Sequence, residues 1–235
     1  MGITDETFLV VDTETTGLTP PKDRTVEIGA VLLKNGQIED TWESLINPDI
    51  PIPPEASAIH HLTDDDVAKS PSIESISGEL TNFAKNASVI AAHNSKFDQS
   101  FLPTMFSQPW LCTCRLARQV WPKAPAHGNQ VLRYWLKLDV KLNGMSPHRA
   151  LPDAIITANI LGIAIEEYLK NGGKDDRKAF MDYINSPITV QTMPFGMHYG
   201  KPLSEVPKDY LRWALENATA ADPDLKWTIE SLLKK

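Results

Sequence analysis

The chain has 235 residues, 42% of them hydrophobic, and a formal net charge of −7 from 23 basic and 30 acidic side chains. That length admits one large domain, or one domain with a small appendage, and that apolar content excludes a disordered chain. Taken alone, the acidic balance argues against a sequence-independent nucleic-acid coat, which would be basic, and no apolar run approaches the length of a membrane span.

The first residues, Met1 to Glu6, are acidic and lack the basic-then-apolar pattern of a secretion signal, so a cytoplasmic location is expected. Cysteine is confined to Cys112 and Cys114. One intervening residue makes a bridge between them awkward, and no second pair exists to complete a zinc site. Two free thiols in a reducing compartment are the expectation.

In chain order, Phe8 to Val11 is a short apolar run ending at Asp12, as a buried strand should. Val26 to Leu33 is the next strand. Asn35-Gly36 is a two-residue hairpin turn, and Ile38 to Ile46 returns as a third strand. Four prolines between Pro48 and Pro54 require an extended connection. Ser72 to Asn86 has helical spacing, and Ser88 to Ala92 is a further strand. Phe97 to Met105, Thr113 to Val120 and Gln130 to Leu138 read as helices. Ala150 to Leu169 is a long amphipathic helix, with Pro152 in its first turn and Asn171-Gly172-Gly173 as its stop. A charged stretch from Lys174 opens a linker with a short helix. Val190 to Leu203 suggests a small hairpin, and Pro207 to Asn217 and Pro223 to Lys234 are two more helices. Strands mixed with helices make an α/β layer fold. The expected division is a main domain over 1–170, a linker over 171–189 and a small C-terminal module over 190–235.

Three segments carry chemistry. Asp12 and Glu14 lie two apart on an extended segment, so their carboxylates point the same way and can grip one cation. Taken alone they also fit a solvated strand end. Asp98 sits in the first turn of a helix, where an acidic side chain is equally at home as a cap. Asn94 precedes it and could orient a carboxylate or bind phosphate; His93 fits a structural hydrogen bond as well as any other role. Asp153 opens the long helix, and His148 lies five residues earlier on the entering loop. Histidine changes charge near neutral pH, which suits a general base acting on water, although a surface histidine is the commoner case. Carboxylates gathered at the ends of buried elements repel one another unless something positive lies between them. A pair of divalent cations meets that need and would add four positive charges at the cleft, so the global charge does not exclude a nucleic-acid enzyme.

The segments Asp12-Thr13-Glu14-Thr15-Thr16-Gly17, His93-Asn94-Ser95-Lys96-Phe97-Asp98 and His148-Arg149-Ala150-Leu151-Pro152-Asp153-Ala154 resemble, in order, the three motifs of the DEDDh 3′–5′ exonucleases. The resemblance covers residues 7–170. It implies a ribonuclease H-like mixed five-stranded sheet flanked by helices, carrying a small hairpin-plus-helices extension. It further implies two Mg²⁺ or Mn²⁺ ions and no small organic cofactor. Asp12 would bridge the ions, Glu14 and Asp153 would complete one ligand set, Asp98 would support the other, and His148 would be the base. Thr13, Thr15, Gly17 and Leu18 match positions that contact the terminal nucleotide, Leu18 as an apolar wedge. His60 matches a substrate-contacting position, with a structural role close behind. His61 stands where many members have glycine, and Asn129 matches a position near the substrate strand.

The tail from Met193 to Trp213 resembles that of bacterial exodeoxyribonucleases of this family, although Met197 stands where a basic residue is common. His198, Tyr199 and Lys201 could touch a nucleic-acid strand; equally, Phe195, Tyr210 and Trp213 could staple a packing module. The implied function is 3′–5′ hydrolysis of DNA, acting on single-stranded or duplex 3′ ends, with repair or recombination as the expected setting. The competing readings are an exoribonuclease of the same family, a small-molecule phosphodiesterase, and a non-catalytic nucleic-acid binding module. The last would have lost a ligand, and all five positions are intact.

Overall fold

The computed structural model describes residues 2–102, 105–140, 148–218 and 222–234. Five strands, β1 (Thr7–Thr15), β2 (Thr25–Lys34), β3 (Gln37–Leu45), β4 (Val89–Ala92) and β5 (Trp110–Cys112), form one sheet in the order β3-β2-β1-β4-β5. The first three make an antiparallel meander, whereas β4 and β5 run parallel to β1. This is the mixed five-stranded sheet that the motifs implied. Around it lie α1 (Pro54–His60), α2 (Asp64–Val67), α3 (Ile73–Phe83), α4 (Lys96–Phe101), α5 (Thr113–Val120), α6 (Asn129–Trp135), α7 (Ala150–Lys170) and α8 (Arg177–Asn185).

Alternation along β1 sorts its side chains between two cores. Phe8 and Val10 join α5, α7 and α8 in one core, with Leu116, Ile156, Ile160 and Phe180. Leu9 and Val11 join α3 in the other, with Ile76 and Leu80. Each fully buried aliphatic or aromatic side chain of this kind contributes about 1.5–3 kcal/mol. The same alternation continues past the apolar run, so Asp12 and Glu14 share the α7 face and Thr13 the opposite one.

The strand does not end at Asp12, as the apolar run suggested. Pairing with β2 carries it to Thr15, with an irregularity between Glu14 and Thr15. Pro54 does not prolong the extended connection; it opens α1 at a first-turn position, where its missing N–H costs nothing. The expected helix from Phe97 stops at Phe101, and residues 103–104 of that expectation lie outside the described residues.

Gly29 governs how α7 meets the sheet. It pairs with Asp12 across β1 and β2, and a Cβ there would lie 2.3 Å from Ala150 C and Leu151 N. Those are backbone atoms that cannot rotate aside, so the first turn of α7 crosses β2 at the one residue without a side chain. Gly29→Ala is expected to lower the unfolding free energy by at least about 2 kcal/mol, since overpacking a tight contact typically costs 1–3 kcal/mol or more. Urea denaturation measures it; an unchanged midpoint would contradict this packing.

The chain divides into two compact units, Met1–Ile184 and Asn185–Lys235. The segment expected as a linker over 171–189 is therefore split. Phe180 is buried against Tyr168, with ring centroids 4.9 Å apart, and Arg177 reaches Glu6 at 3.5 Å, so α8 belongs to the first unit. The second unit holds a tight turn over 191–203 closed by a bridge between Thr192 and Pro202, followed by α9 (Lys208–Asn217) and α10 (Pro223–Leu233). Met193, Leu203, Val206, Leu211, Leu225 and Ile229 form its own small core. Among the described residues no helix is long and apolar enough to cross a membrane.

Candidate active site

Three of the predicted carboxylates converge. Asp12 and Glu14 from β1 and Asp153 from the first turn of α7 offer oxygens that all lie within 4.8 Å of one another. Asp98 lies across the strand, in the first turn of α4. It is 3% exposed, and its Oδ1 accepts a hydrogen bond from Thr13 Oγ1 at 2.9 Å. The odd-numbered neighbour of the two ligand candidates thus ties the fourth carboxylate to the same strand.

The cluster is electrostatically unfavourable by itself. Burial raises the Asp12 carboxyl well above its ordinary value, and the charges of Asp98, Glu14, Asp153 and Glu27 push it further. Glu14 is pushed from an ordinary 4.5 to about 8, first by burial and then by Asp153, Glu27 and Asp98, with Arg149 opposing. Burial raises Asp98 from 3.8 to about 7 against the Thr13 hydrogen bond. Burial also raises Asp153, against hydrogen bonds from the His148 backbone and the Gln130 side chain. A donor set made wholly of carboxylate oxygens, crowded until it holds protons, is one that a hard cation would relieve.

A pH dependence follows. In the cation-free protein Glu14 and Asp98 keep their protons to higher pH than in the unfolded chain. Between the unfolded and folded values the native state binds the extra protons, so stability falls as pH rises through that window. The melting midpoint of chelator-treated protein is expected to drop from about pH 5 to about pH 8, and saturating Mg²⁺ to restore it at the alkaline end. A midpoint that climbs over that range in chelator would contradict these shifts.

Gln130, which the sequence motifs did not single out, and the backbone of His148 hold Asp153 in place. Gln130 Nε2 donates to its Oδ1 at 2.9 Å, and the His148 backbone N–H donates to its Oδ2 at 3.0 Å. His148 itself has a positive φ of 60° and an exposed side chain at the entry to α7. Glu27, 2% exposed on β2, accepts from Arg149 Nε and Nη2 and from the Ala150 N–H. One sequence signal could have found Glu27: a charge inside the apolar run Val26 to Leu33 demands a partner.

Beside the carboxylates lies a cleft of about 460 Å³ lined by Thr13 to Leu18, Pro53, Glu55, Ala56, Ile59, His60 and Phe97. Thr13, Thr15, Gly17, Leu18 and His60 are thereby brought together. Leu18 is 81% and Ile59 57% exposed at its rim, an arrangement suited to gripping a flat apolar face. His60 is buried; its Nδ1 accepts from the Leu62 N–H at 3.0 Å, and burial lowers its pKa. His61 adopts φ 62° as the residue closing α1, the left-handed position that glycine fills most easily.

The remaining candidates lie outside that cluster. His93 is structural: its Nε2 reaches the His127 carbonyl at 2.6 Å, its Nδ1 reaches Thr113 Oγ1 at 2.9 Å, and burial lowers it to about 4. Asn94 is exposed in the turn before α4, with φ 70°. Asn129 Nδ2 donates to Thr157 Oγ1 on α7 at 2.9 Å. In the second unit His198 stands edge-on to Tyr210, centroids 4.6 Å apart, and Tyr210 lies 5.2 Å from Trp213. Phe195 and Tyr210 pack on that unit's core, whereas Tyr199 is 77% exposed. Lys201 is half-buried, and its carbonyl accepts from the Met193 N–H.

Residues 9–161 match the family described as "Exonuclease", and the chain belongs to that family. Residues 184–219 match a second family, described as "Putative quorum-sensing-regulated virulence factor". Exodeoxyribonuclease 10 of Escherichia coli (strain K12) is 35% identical over 229 residues, 96% of this chain and 98% of that protein. A PolC-type DNA polymerase III of Thermotoga maritima is 35% identical over 179 residues, 72% of this chain but 12% of the polymerase. Among solved structures, exonuclease X in complex with 5′ overhanging duplex DNA superposes with a TM-score of 0.64 at 34% identity, over 76% of this chain and 99% of that one. The nuclease domain of 3′hExo, a DEDDh family member bound to rAMP, shares the fold at 18% identity and a TM-score of 0.59, over 73% of this chain and 96% of that one.

Proposed function

We propose that this protein is a metal-dependent 3′–5′ exodeoxyribonuclease that releases nucleoside 5′-monophosphates from DNA 3′ ends, in repair or recombination. The observation that carries the reading is the convergence of Asp12, Glu14 and Asp153 beside a cleft of nucleotide size, in a chain similar over nearly its whole length to an exodeoxyribonuclease. The unbridged state of Cys112 and Cys114 fits a cytoplasmic setting.

The all-oxygen donor set suits Mg²⁺ or Mn²⁺. Asp12, Glu14 and Asp153 would hold one ion, and Asp12 with Asp98 a second. Such ions, when bound, activate water and neutralise charge developing on the phosphate. The chain's own part is positioning and proton transfer. Thr13, Thr15, Gly17 and His60 seat the terminal nucleotide, and Leu18 wedges it from its neighbour. His148 takes the proton of the attacking water. In-line attack at phosphorus breaks the bond to the 3′ oxygen of the preceding nucleotide, so the phosphate leaves on the released one. Asn94 and Asn129 are assigned to the strand path, and His198, Tyr199 and Lys201 to nucleic acid reached by the second unit. Comparing matched DNA and RNA strands of one sequence tests the substrate class. Faster shortening of DNA is expected, and faster loss of RNA would move the assignment to an exoribonuclease.

A further inference from the structure

We propose that the Glu27–Arg149 ion pair is a positioning clamp that sets the spacing of the cation ligands on β1 and α7. The inference rests on reading Asp12, Glu14 and Asp153 as those ligands.

Glu27 sits directly opposite Glu14 in the antiparallel register of β1 and β2. A carboxylate buried beside other carboxylates is repelled unless it is matched by donors and positive charge. Among the described residues its donors come from the entry to α7. Arg149 Nε reaches its two oxygens at 3.0 and 2.9 Å, Arg149 Nη2 reaches one of them, and the Ala150 N–H donates at 2.9 Å. The guanidinium fork fits a carboxylate in a way a lysine cannot.

The bonds fall between the two residues that matter. His148 precedes the clamp, and Asp153 is one helical turn beyond it, its N–H bonded to the Arg149 carbonyl at 3.1 Å. Two residues along β2 from Glu27, Gly29 admits the Ala150–Leu151 backbone onto the sheet. The strand paired to β1 therefore fixes where α7 begins, and so where the Asp153 carboxylate stands relative to Asp12 and Glu14. Arg149 also sets a positive charge against Glu14.

A pair serving only stability would change unfolding and leave the folded protein's cation affinity alone. The test is calorimetric titration of Mn²⁺ into chelator-stripped full-length protein. The series is wild type, Asp12→Ala, Arg149→Ala, Arg149→Lys and the double variant Glu27→Gln/Arg149→Met, which removes both charges and orphans neither. Circular dichroism at the titration temperature establishes that each is folded. The Mn²⁺ dissociation constant is expected to rise about 10–100-fold in Arg149→Ala and in the double variant, the range seen when groups orienting metal ligands are removed. Arg149→Lys should retain part of the affinity lost in Arg149→Ala. Single-turnover cleavage at saturating Mn²⁺ should slow with an unchanged KM for the oligonucleotide. Folded clamp variants that bind Mn²⁺ within about twofold of wild type would overturn the inference. Full Mn²⁺ binding by Asp12→Ala would instead overturn the ligand reading beneath it.

Discussion

Asp12→Ala is expected to abolish hydrolysis while leaving the protein folded. Asp12 occupies the centre of the acidic site: it lies near Glu14 and Asp153, and its carboxyl feels the charges of those two, of Asp98 and of Glu27. A group so placed would serve both proposed cations, and its loss would remove a ligand from each. Folding has no comparable need of it. Burial and like charge already disfavour its ionised form, so truncation relieves repulsion, while the pairing of β1 with β2 runs through backbone groups. The cation-free variant should therefore melt no lower than wild type at about pH 8, and its circular dichroism should match. Hydrolysis retained by Asp12→Ala purified free of other nucleases would sink the assignment.

His148→Ala should slow single-turnover cleavage by about two to four decades, the usual contribution of a positioned general base. The backbone of His148 is anchored by its N–H to Asp153 Oδ2, at the entry to α7, and its side chain is left exposed. That combination anchors the loop at Asp153 and leaves the imidazole unburied. Because the anchoring group is the backbone, alanine keeps the hydrogen bond to Asp153 and should leave Mn²⁺ affinity close to wild type. Loss of rate with intact ion binding separates proton transfer from ligation. An unchanged single-turnover rate would remove His148 from the base role.

The pairing of Asp12 with Glu14 was legible because an extended chain repeats every two residues, and the Asn35-Gly36 turn because its positive φ values, 51° and 71°, suit those residues. The long helix was legible from its apolar spacing and its Gly-rich stop. Other features depend on partners distant in sequence. Strand β5 is only Trp110–Cys112, too short to show a pattern, and exists because β4 pairs with it. The extension of β1 through Asp12, Thr13, Glu14 and Thr15 is sustained by β2 and not by apolar alternation. Helix α8 looked like part of a charged linker because its burial depends on Phe180 meeting Tyr168. The Glu27–Arg149 pair spans 122 residues of chain, so a local reading sees two unrelated charges.

The most direct test of the central claim uses a 5′-labelled single-stranded DNA oligonucleotide, wild-type protein and Asp12→Ala, with Mg²⁺ or EDTA. The expected result is a ladder shortening from the 3′ end with Mg²⁺, absent in EDTA and absent for Asp12→Ala. A ladder that survives EDTA or the Asp12 substitution, or no ladder at all from folded wild-type protein that binds the cation, would contradict the account.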